Sequence, residues 1–199
     1  MKKAENLLNG WYEKSEQVAP VRIRTFSREK LVSSFKDFGF TIGAEVGVDR
    51  GTFSKVILDA NPDLNLFCVD PWRPVQDGVK RYEQTQKKLK PYETRVKFMR
   101  ETSLEAARQI DDESLDFVYI DGDHHFDYAM TDIIEWSKKV KVGGIVSGHD
   151  YYHFRQAGVI EAVDVYTKMH KIEKWFLTDY LKDRTPSFFW IKQDEPWSV

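Results

Sequence analysis

The stretch TIGAEVGVDRG, residues 41–51, contains the turn that decides the fold. Its first seven residues form an apolar run typical of a buried strand, and residues 53–60 repeat apolar side chains at helical spacing. Gly47 and Gly51 lie between these two patterns. The sequence therefore predicts a strand that turns through a glycine-rich loop into a helix, at the end of a parallel sheet where ligands bind.

Strand and helix patterns alternate along the rest of the chain. Further strand-like runs lie at residues 64–70, 95–99, 115–121 and 144–148. Apolar residues at helical spacing lie between or after them, and two aromatic-rich runs, 174–180 and 187–192, close the pattern as a hairpin. We predict an α/β fold with a mainly parallel sheet that ends in an antiparallel strand.

Two local signals mark helix ends. Thr102, with Glu105 three residues later, forms a capping box that opens a short helix. Gly143-Gly144 predicts the end of the helix that begins near Phe126, just before the strand at 144–148.

Composition limits the classes of protein to which the chain can belong. The 199 residues are 41% hydrophobic, enough for one sizeable core, and 30 Lys+Arg nearly balance 32 Asp+Glu. This balance argues against a strongly basic nucleic-acid-binding protein. A single cysteine, Cys68, excludes an internal disulfide, and no apolar run is long enough for a signal peptide or a bilayer span. We expect a cytoplasmic protein with no nucleic-acid or membrane partner.

An acid follows the second strand at the offset expected for a nucleoside-binding site. Asp70 lies 19 residues after Gly51, where a carboxylate can hydrogen-bond a ribose diol. A dinucleotide fingerprint has glycine at position 49, but this chain has Asp49, whose charge would repel a pyrophosphate. The sequence favours a nucleoside cofactor without phosphates over NAD, with an ordinary tight turn as the alternative.

Glu45-x-Gly47-x-x-x-Gly51 resembles motif I of class I S-adenosylmethionine-dependent methyltransferases, and Asp70 matches their ribose-binding acid. The resemblance implies a Rossmann-like, mainly parallel seven-stranded sheet with helices on both faces. It also implies S-adenosyl-L-methionine as the cofactor. The expected cofactor-binding residues are Glu45, Gly47, Gly51, Asp70, Trp72, Ser103 and Asp121.

The stretches VYIDGDHH, residues 118–125, and GGIVSGHDY, residues 143–151, resemble a more specific branch. They are similar to metal-dependent small-molecule O-methyltransferases of the sugar and macrolide type. In that branch an acid at the position of Asp121 binds a metal, and a histidine at the position of His124 is the base. The resemblance implies O-methylation of a small hydroxylated acceptor, a sugar or a glycosylated metabolite, with Asp121 and His124 as catalytic residues.

Acids and histidines crowd the ends of the fourth and fifth predicted strands. Asp121, His124 and His125 follow one strand, and His149 and Asp150 follow the next. Because neighbouring parallel strands end at the same edge of a sheet, these side chains should meet in one cleft. Carboxylates suit Mg²⁺, and an added imidazole also suits Mn²⁺, Fe²⁺ or Zn²⁺. We predict Asp121, His149 and Asp150 as ligands of a divalent metal, with His149 as an alternative base.

Residues 1–40 lie outside the resemblance, and residues 41–199 form the predicted methyltransferase domain. Apolar residues such as Leu7, Trp11 and Phe26 make residues 1–40 a candidate helical extension. It would serve as a lid over the acceptor or as a dimer contact, which leaves a homo-oligomer open, or it would simply pack on the sheet edge. Two other functions stay open: a non-catalytic nucleoside-binding module of the same fold, and an NAD-linked oxidoreductase.

Overall fold

The computed structural model describes residues 10–11, 19–74 and 77–194, and Leu7 lies outside these ranges. The strands are β1 (Val21–Arg24), β2 (Ile42–Val46), β3 (Asn65–Val69), β4 (Val96–Met99), β5 (Leu115–Ile120), β6 (Val140–Gly148), β7 (Phe176–Asp179) and β8 (Phe188–Ile191). The α-helices are α1 (Arg28–Ser33), α2 (Phe35–Phe38), α3 (Thr52–Ala60), α4 (Gly78–Leu89), α5 (Ser103–Ala107), α6 (Phe126–Lys139) and α7 (Val159–Met169). None of these helices is long and apolar enough to cross a bilayer.

The strands form a single sheet in the order β1-β7-β8-β6-β5-β2-β3-β4. β8 runs antiparallel to both of its neighbours, whereas the other pairings are parallel. This confirms the predicted mainly parallel α/β sheet with a reversed last strand. The described residues contain eight strands rather than seven, because β1 pairs with β7 at the sheet edge. The segment before residue 41 thus adds a strand to the sheet, as well as α1 and α2.

The central strand β5 is buried on both faces. Phe117 and Tyr119 enter the core on one side of the sheet, with α1, α2 and α3. Val118 and Ile120 enter the core on the other side, with α5, α6 and α7. Two-sided burial explains why LDFVYI is an almost continuous apolar run, as in parallel sheets that helices cover on both faces. The carboxyl end of β5 therefore lies between the two layers of helices.

The two predicted helix-end signals had different outcomes. The capping box is present: Thr102 Oγ1 accepts from the Glu105 backbone N, and the Glu105 carboxylate accepts from the Thr102 backbone N at 3.0 Å. The prediction for Gly143-Gly144 was wrong, because α6 ends at Lys139 and β6 already begins at Val140. Gly143 has a φ of +86°, and the register between β5 and β6 shifts in this region. These glycines belong to an irregular strand instead of a helix stop.

Candidate functional site

The loop that leaves β2 is built around Gly47. Gly47 has a φ of +90°, and a Cβ at this position would lie 2.0 Å from the carbonyl oxygen of Asp121, at the end of β5. Gly51 also has a positive φ, +65°, at the start of α3. A side chain at position 47 would have neither the space nor the favoured backbone angles. The loop backbone consequently lies directly against the end of β5 and forms one wall of a cleft.

Asp70, after the end of β3, holds this loop through its carboxylate. Oδ2 accepts hydrogen bonds from the backbone N of Val48 at 3.1 Å and of Asp49 at 2.9 Å. Oδ1 accepts from the backbone N of Trp72 at 2.8 Å. An ionised carboxylate offers about four lone-pair sites. Three bonds to the chain leave Asp70 with capacity for a further donor at the position predicted for a ribose.

Trp72 and Ser103 are held behind the site by hydrogen bonds to neighbouring elements. Trp72 is only 2% exposed, and its Nε1 donates to the carbonyl oxygen of Asp49 at 2.8 Å. Ser103 Oγ donates to the carboxylate of Asp132 and accepts from Trp136 Nε1 at 2.8 Å. Burial raises the pKa of Asp132 to about 6. Trp72 thus supports the Gly47 loop through its hydrogen bond to Asp49, and Ser103 ties α5 to α6.

Glu45 is a buried acid of motif I on β2. It is 1% exposed, and Ser54 Oγ of α3 donates to its Oε2. Burial raises the pKa of Glu45 to about 8, and the negative charge of Asp121 acts in the same direction. Glu45 is therefore mainly protonated at neutral pH, and it ties the strand to the helix as a neutral acid.

This buried acid predicts a pH-dependent stability. Because the folded-state pKa lies above the ordinary glutamate value of 4.5, the free energy of unfolding should fall as pH rises from about 4.5 to about 8. Glu45→Gln keeps the shape and removes the titration. At pH 8 the variant should be more stable than the wild type by roughly 4 kcal/mol, and the difference should vanish near pH 4. Urea denaturation at both pH values measures this, and parallel pH profiles would contradict it.

Three of the predicted side chains meet at the ends of β5 and β6. One ligand atom from each of Asp121, His124 and Asp150 lies within 4.8 Å of the other two. His124 Nε2 is 2.9 Å from Asp150 Oδ2 and 3.8 Å from Asp121 Oδ1. The two acids are partly buried, whereas His124 is half exposed. The cluster is thus open to a ligand on its His124 side.

The charges within this cluster support one another. The carboxylates of Asp121 and Asp150 raise the pKa of His124 to about 10. Burial opposes ionisation of Asp150, but hydrogen bonds from His124 and Thr185 lower its pKa to about 2. The free chain therefore holds an imidazolium between two carboxylates at neutral pH.

His149, which the sequence predicted as a metal ligand, lies at the edge of this cluster, with its Nε2 3.9 Å from Asp150 Oδ1, but both ring nitrogens are nearer to hydroxyl groups. Its Nδ1 is 3.1 Å from Ser187 Oγ, and its Nε2 is 3.2 Å from Thr185 Oγ1. Burial lowers the pKa of His149. Thr185 also donates to Asp150 Oδ1 at 2.6 Å. His149 is therefore bound to the segment before β8, and His124 occupies the place beside the two acids.

Sequence reasoning missed Arg28 and Thr185. Arg28, the first residue of α1, has its Nη1 3.8 Å from Asp121 Oδ2. Thr185, 7% exposed, fixes the orientation of Asp150. Neither residue belongs to a recognisable motif, and both reach the site from segments distant in sequence. Only Arg28 had any sequence signal, as a basic residue shortly before the apolar pair Leu31-Val32. Many surface residues share that pattern.

Two clefts meet at the cluster. The first, of about 500 Å³, is lined by Gly47, Val48, Phe53 and Arg28 among others. The second, of about 580 Å³, is lined by residues that include His125, Phe154 and Arg155. Both clefts include Gly122 and His124 in their walls. Each is large enough for a small molecule, so the arrangement can hold two ligands on either side of His124.

Comparisons with solved structures identify the fold. The O-methyltransferase TomG of Streptomyces achromogenes, solved with SAM, superposes with a TM-score of 0.65 at 14% identity, over 83% of this chain and 79% of that chain. Cofactor-bound Rv0187 from MTB gives 0.64 at 13% identity, over 85% and 84%. An O-methyltransferase family protein of Burkholderia thailandensis gives 0.56 at 15% identity, over 83% and 55%.

Comparisons of sequence identify the family. A curated relative, the uncharacterized protein y4gI of Sinorhizobium fredii, is 24% identical over 113 residues, which make up 55% of this chain and 12% of that protein. The sequence model of the methyltransferase domain family matches residues 44–151, which include the Gly47 loop and the Asp121–His124–Asp150 cluster. Since this match spans more than half of the 199 residues, the chain belongs to the methyltransferase domain family.

Proposed function

We propose that the chain is an S-adenosyl-L-methionine-dependent O-methyltransferase that acts on a small hydroxylated acceptor, a sugar or a glycosylated metabolite, with assistance from a divalent metal. The observation that carries the proposal is the position of the Asp121–His124–Asp150 cluster at the junction of two clefts. Methyl transfer requires an electrophilic methyl group on one side and an oxygen nucleophile on the other, held in line. One cleft would hold the cofactor and the other the acceptor.

The residues around Gly47 fit the cofactor, which supplies a methyl group on a sulfonium. Gly47 allows the loop backbone to lie directly against the end of β5, where no Cβ would fit, so the loop itself can form the wall that the cofactor contacts. Asp70 keeps a hydrogen-bonding site for a ribose hydroxyl. Asp49, which forms a 2.8 Å ion pair with Arg81, keeps a carboxylate where a dinucleotide would need its pyrophosphate. In this proposal Trp72 supports the Gly47 loop through Asp49, and Ser103 acts indirectly by joining α5 to α6.

The acids of the cluster fit a divalent metal. Asp121 and Asp150 offer carboxylate oxygens, which suit Mg²⁺ or Mn²⁺, and His124 stays outside the ligand set because it is the proposed base. A divalent cation there would offset both negative charges and act as a Lewis acid toward the acceptor. We propose these two acids without His149, because both ring nitrogens of His149 lie beside hydroxyl groups, at 3.1 and 3.2 Å.

His124 is the proposed base for the acceptor hydroxyl. It lines both clefts, so it can reach an acceptor in one while the cofactor fills the other. Asp150, 2.9 Å away, orients the imidazole, and Thr185 orients Asp150. In the free chain the two carboxylates keep His124 protonated, so it can accept a proton only when their charge is balanced. This links the base to the proposed metal.

Titration calorimetry with S-adenosyl-L-methionine and with NAD tests this function, each with Mn²⁺ and again with a chelator. We expect micromolar binding of S-adenosyl-L-methionine and no binding of NAD. We expect Asp121→Asn to weaken Mn²⁺ binding roughly 100-fold, since it removes the charge of an oxygen ligand. Cofactor affinity should remain measurable in the variant.

The other outcomes point to the alternative functions. Binding of NAD alone would replace the proposal with an oxidoreductase. Binding of S-adenosyl-L-methionine with no turnover, across a screen of sugars and glycosides with Mn²⁺ present, would favour the non-catalytic nucleoside-binding module.

A further inference from the structure

Arg28 lies before residues 44–151, which match the methyltransferase domain family, and its cationic side chain lines the first cleft. Its guanidinium carbon lies 4.7 Å from the centroid of the Phe53 ring, and its side chain is 32% exposed. The backbone N of Arg28 donates to Asp183 Oδ2 at 2.9 Å, which ties the start of α1 to the loop before β8. The arginine is thus held at the cleft by contacts on two sides.

The charge of Arg28 is only loosely paired. Its ion-pair partner is Asp121, with 3.8 Å between Nη1 and Oδ2, which exceeds hydrogen-bond distance, and the guanidinium also contacts the hydroxyl of Tyr119. By contrast, Arg81 in the same cleft lies 2.8 Å from Asp49 Oδ1. A guanidinium carries five N–H donors in a planar fork that matches a carboxylate. Arg28 therefore retains donors for an anionic group that enters the cleft.

The charges around Arg28 suit an amino acid. Asp121 supplies a carboxylate, and Arg28 supplies the opposite charge 3.8 Å away. An α-amino acid moiety carries an ammonium and a carboxylate on the same carbon. An acid next to an arginine complements both charges.

Resting on the proposed function, we propose that Arg28 binds the α-carboxylate of the amino acid moiety of S-adenosyl-L-methionine. An acceptor carboxylate would offer the same chemistry. However, Arg28 lines the first cleft with Gly47 and Phe53, and it is absent from the walls described for the second cleft, beside Phe154. The position of Arg28 on the Gly47 side of the cluster therefore favours the cofactor.

Calorimetry with two cofactors that differ in one group tests this assignment. Decarboxylated S-adenosylmethionine lacks only the α-carboxylate. The wild type should bind S-adenosyl-L-methionine roughly 10- to 100-fold more tightly than the decarboxylated form. In Arg28→Gln this preference should disappear, because the affinity for the full cofactor falls while that for the decarboxylated form stays unchanged. Arg28→Lys should keep part of the preference, since it keeps the charge without the fork.

Lys30→Gln is the matched control. Lys30 lies on the same helix, with its Nζ 5.5 Å from the Phe26 ring centroid, and its loss should leave the preference intact. An equal loss of both affinities in Arg28→Gln would overturn the assignment, as would a wild type without preference. An effect confined to the KM of an acidic acceptor would also overturn it and would assign Arg28 to the acceptor. Failure of the wild type to bind either cofactor would instead overturn the proposed function.

Discussion

We expect His124→Ala to lower kcat by roughly a hundredfold to ten-thousandfold, the range typical for the loss of a general base. The imidazole lies at the junction of the two clefts, 2.9 Å from the carboxylate that orients it. Alanine leaves no group there that can accept the acceptor's proton. The measurement is kcat with an acceptor found by screening sugars and glycosides, together with the Kd for S-adenosyl-L-methionine, which should change little.

His125→Ala is the control for this prediction. His125 is exposed, and its Nδ1 pairs with Asp123 Oδ1 at 2.6 Å on the outer side of the loop. Because His125 also lines the second cleft, its removal can change the KM for the acceptor, but it should leave kcat nearly unchanged. A full rate in His124→Ala would show that another group is the base. His149 would be the first candidate, but its Nε2 would have to give up its contact with Thr185 Oγ1 to accept a proton.

The second large effect is expected for Gly47→Ala. The added Cβ would lie 2.0 Å from the carbonyl oxygen of Asp121, and the φ of +90° is unfavourable for alanine. Strain and overpacking together should lower the free energy of unfolding by about 2–5 kcal/mol. The loop must move away from the end of β5, so the affinity for S-adenosyl-L-methionine should fall roughly 100-fold, a loss of about 3 kcal/mol. Urea denaturation and calorimetry measure the two effects.

Gly122→Ala is the matched control in the same wall. A Cβ there would meet Asp132 Oδ2 at 3.2 Å and Val46 Cγ1 at 3.9 Å, contacts that a small adjustment relieves. We expect a change in stability well below that of Gly47→Ala. Equal effects of the two substitutions, or an unchanged Kd in Gly47→Ala, would show that the close approach at position 47 is not required.

The strands and helices that the sequence predicted well are those with a strong local signal. The run LDFVYI is apolar at nearly every position because β5 is buried on both faces. Thr102 and Glu105 mark the start of α5 because each side chain bonds the backbone of the other. These signals act within a few residues, so they are readable without knowledge of the rest of the chain.

Neither β1 nor the environment of His149 could be predicted from a local sequence signal. Val21–Arg24 is short, and it becomes a strand by pairing with β7 far along the chain. The sequence placed His149 and Asp150 together as metal ligands, but β6 ends at Gly148 and Asp150 has a φ of +58°, so strand alternation does not determine where these two side chains point. The hydroxyls of Thr185 and Ser187 decide where the ring of His149 lies.

The sequence by itself determined the strand–loop–helix unit around Gly47 and the acids at the tips of β3, β5 and β6. Periodicity predicts the elements, and neighbouring parallel strands bring their carboxyl ends to one edge. Only the tertiary structure decided that His124 faces the acids and that Arg28 enters the cleft. Those positions depend on contacts such as that between Arg28 and Asp183, 155 positions apart, for which no local pattern exists.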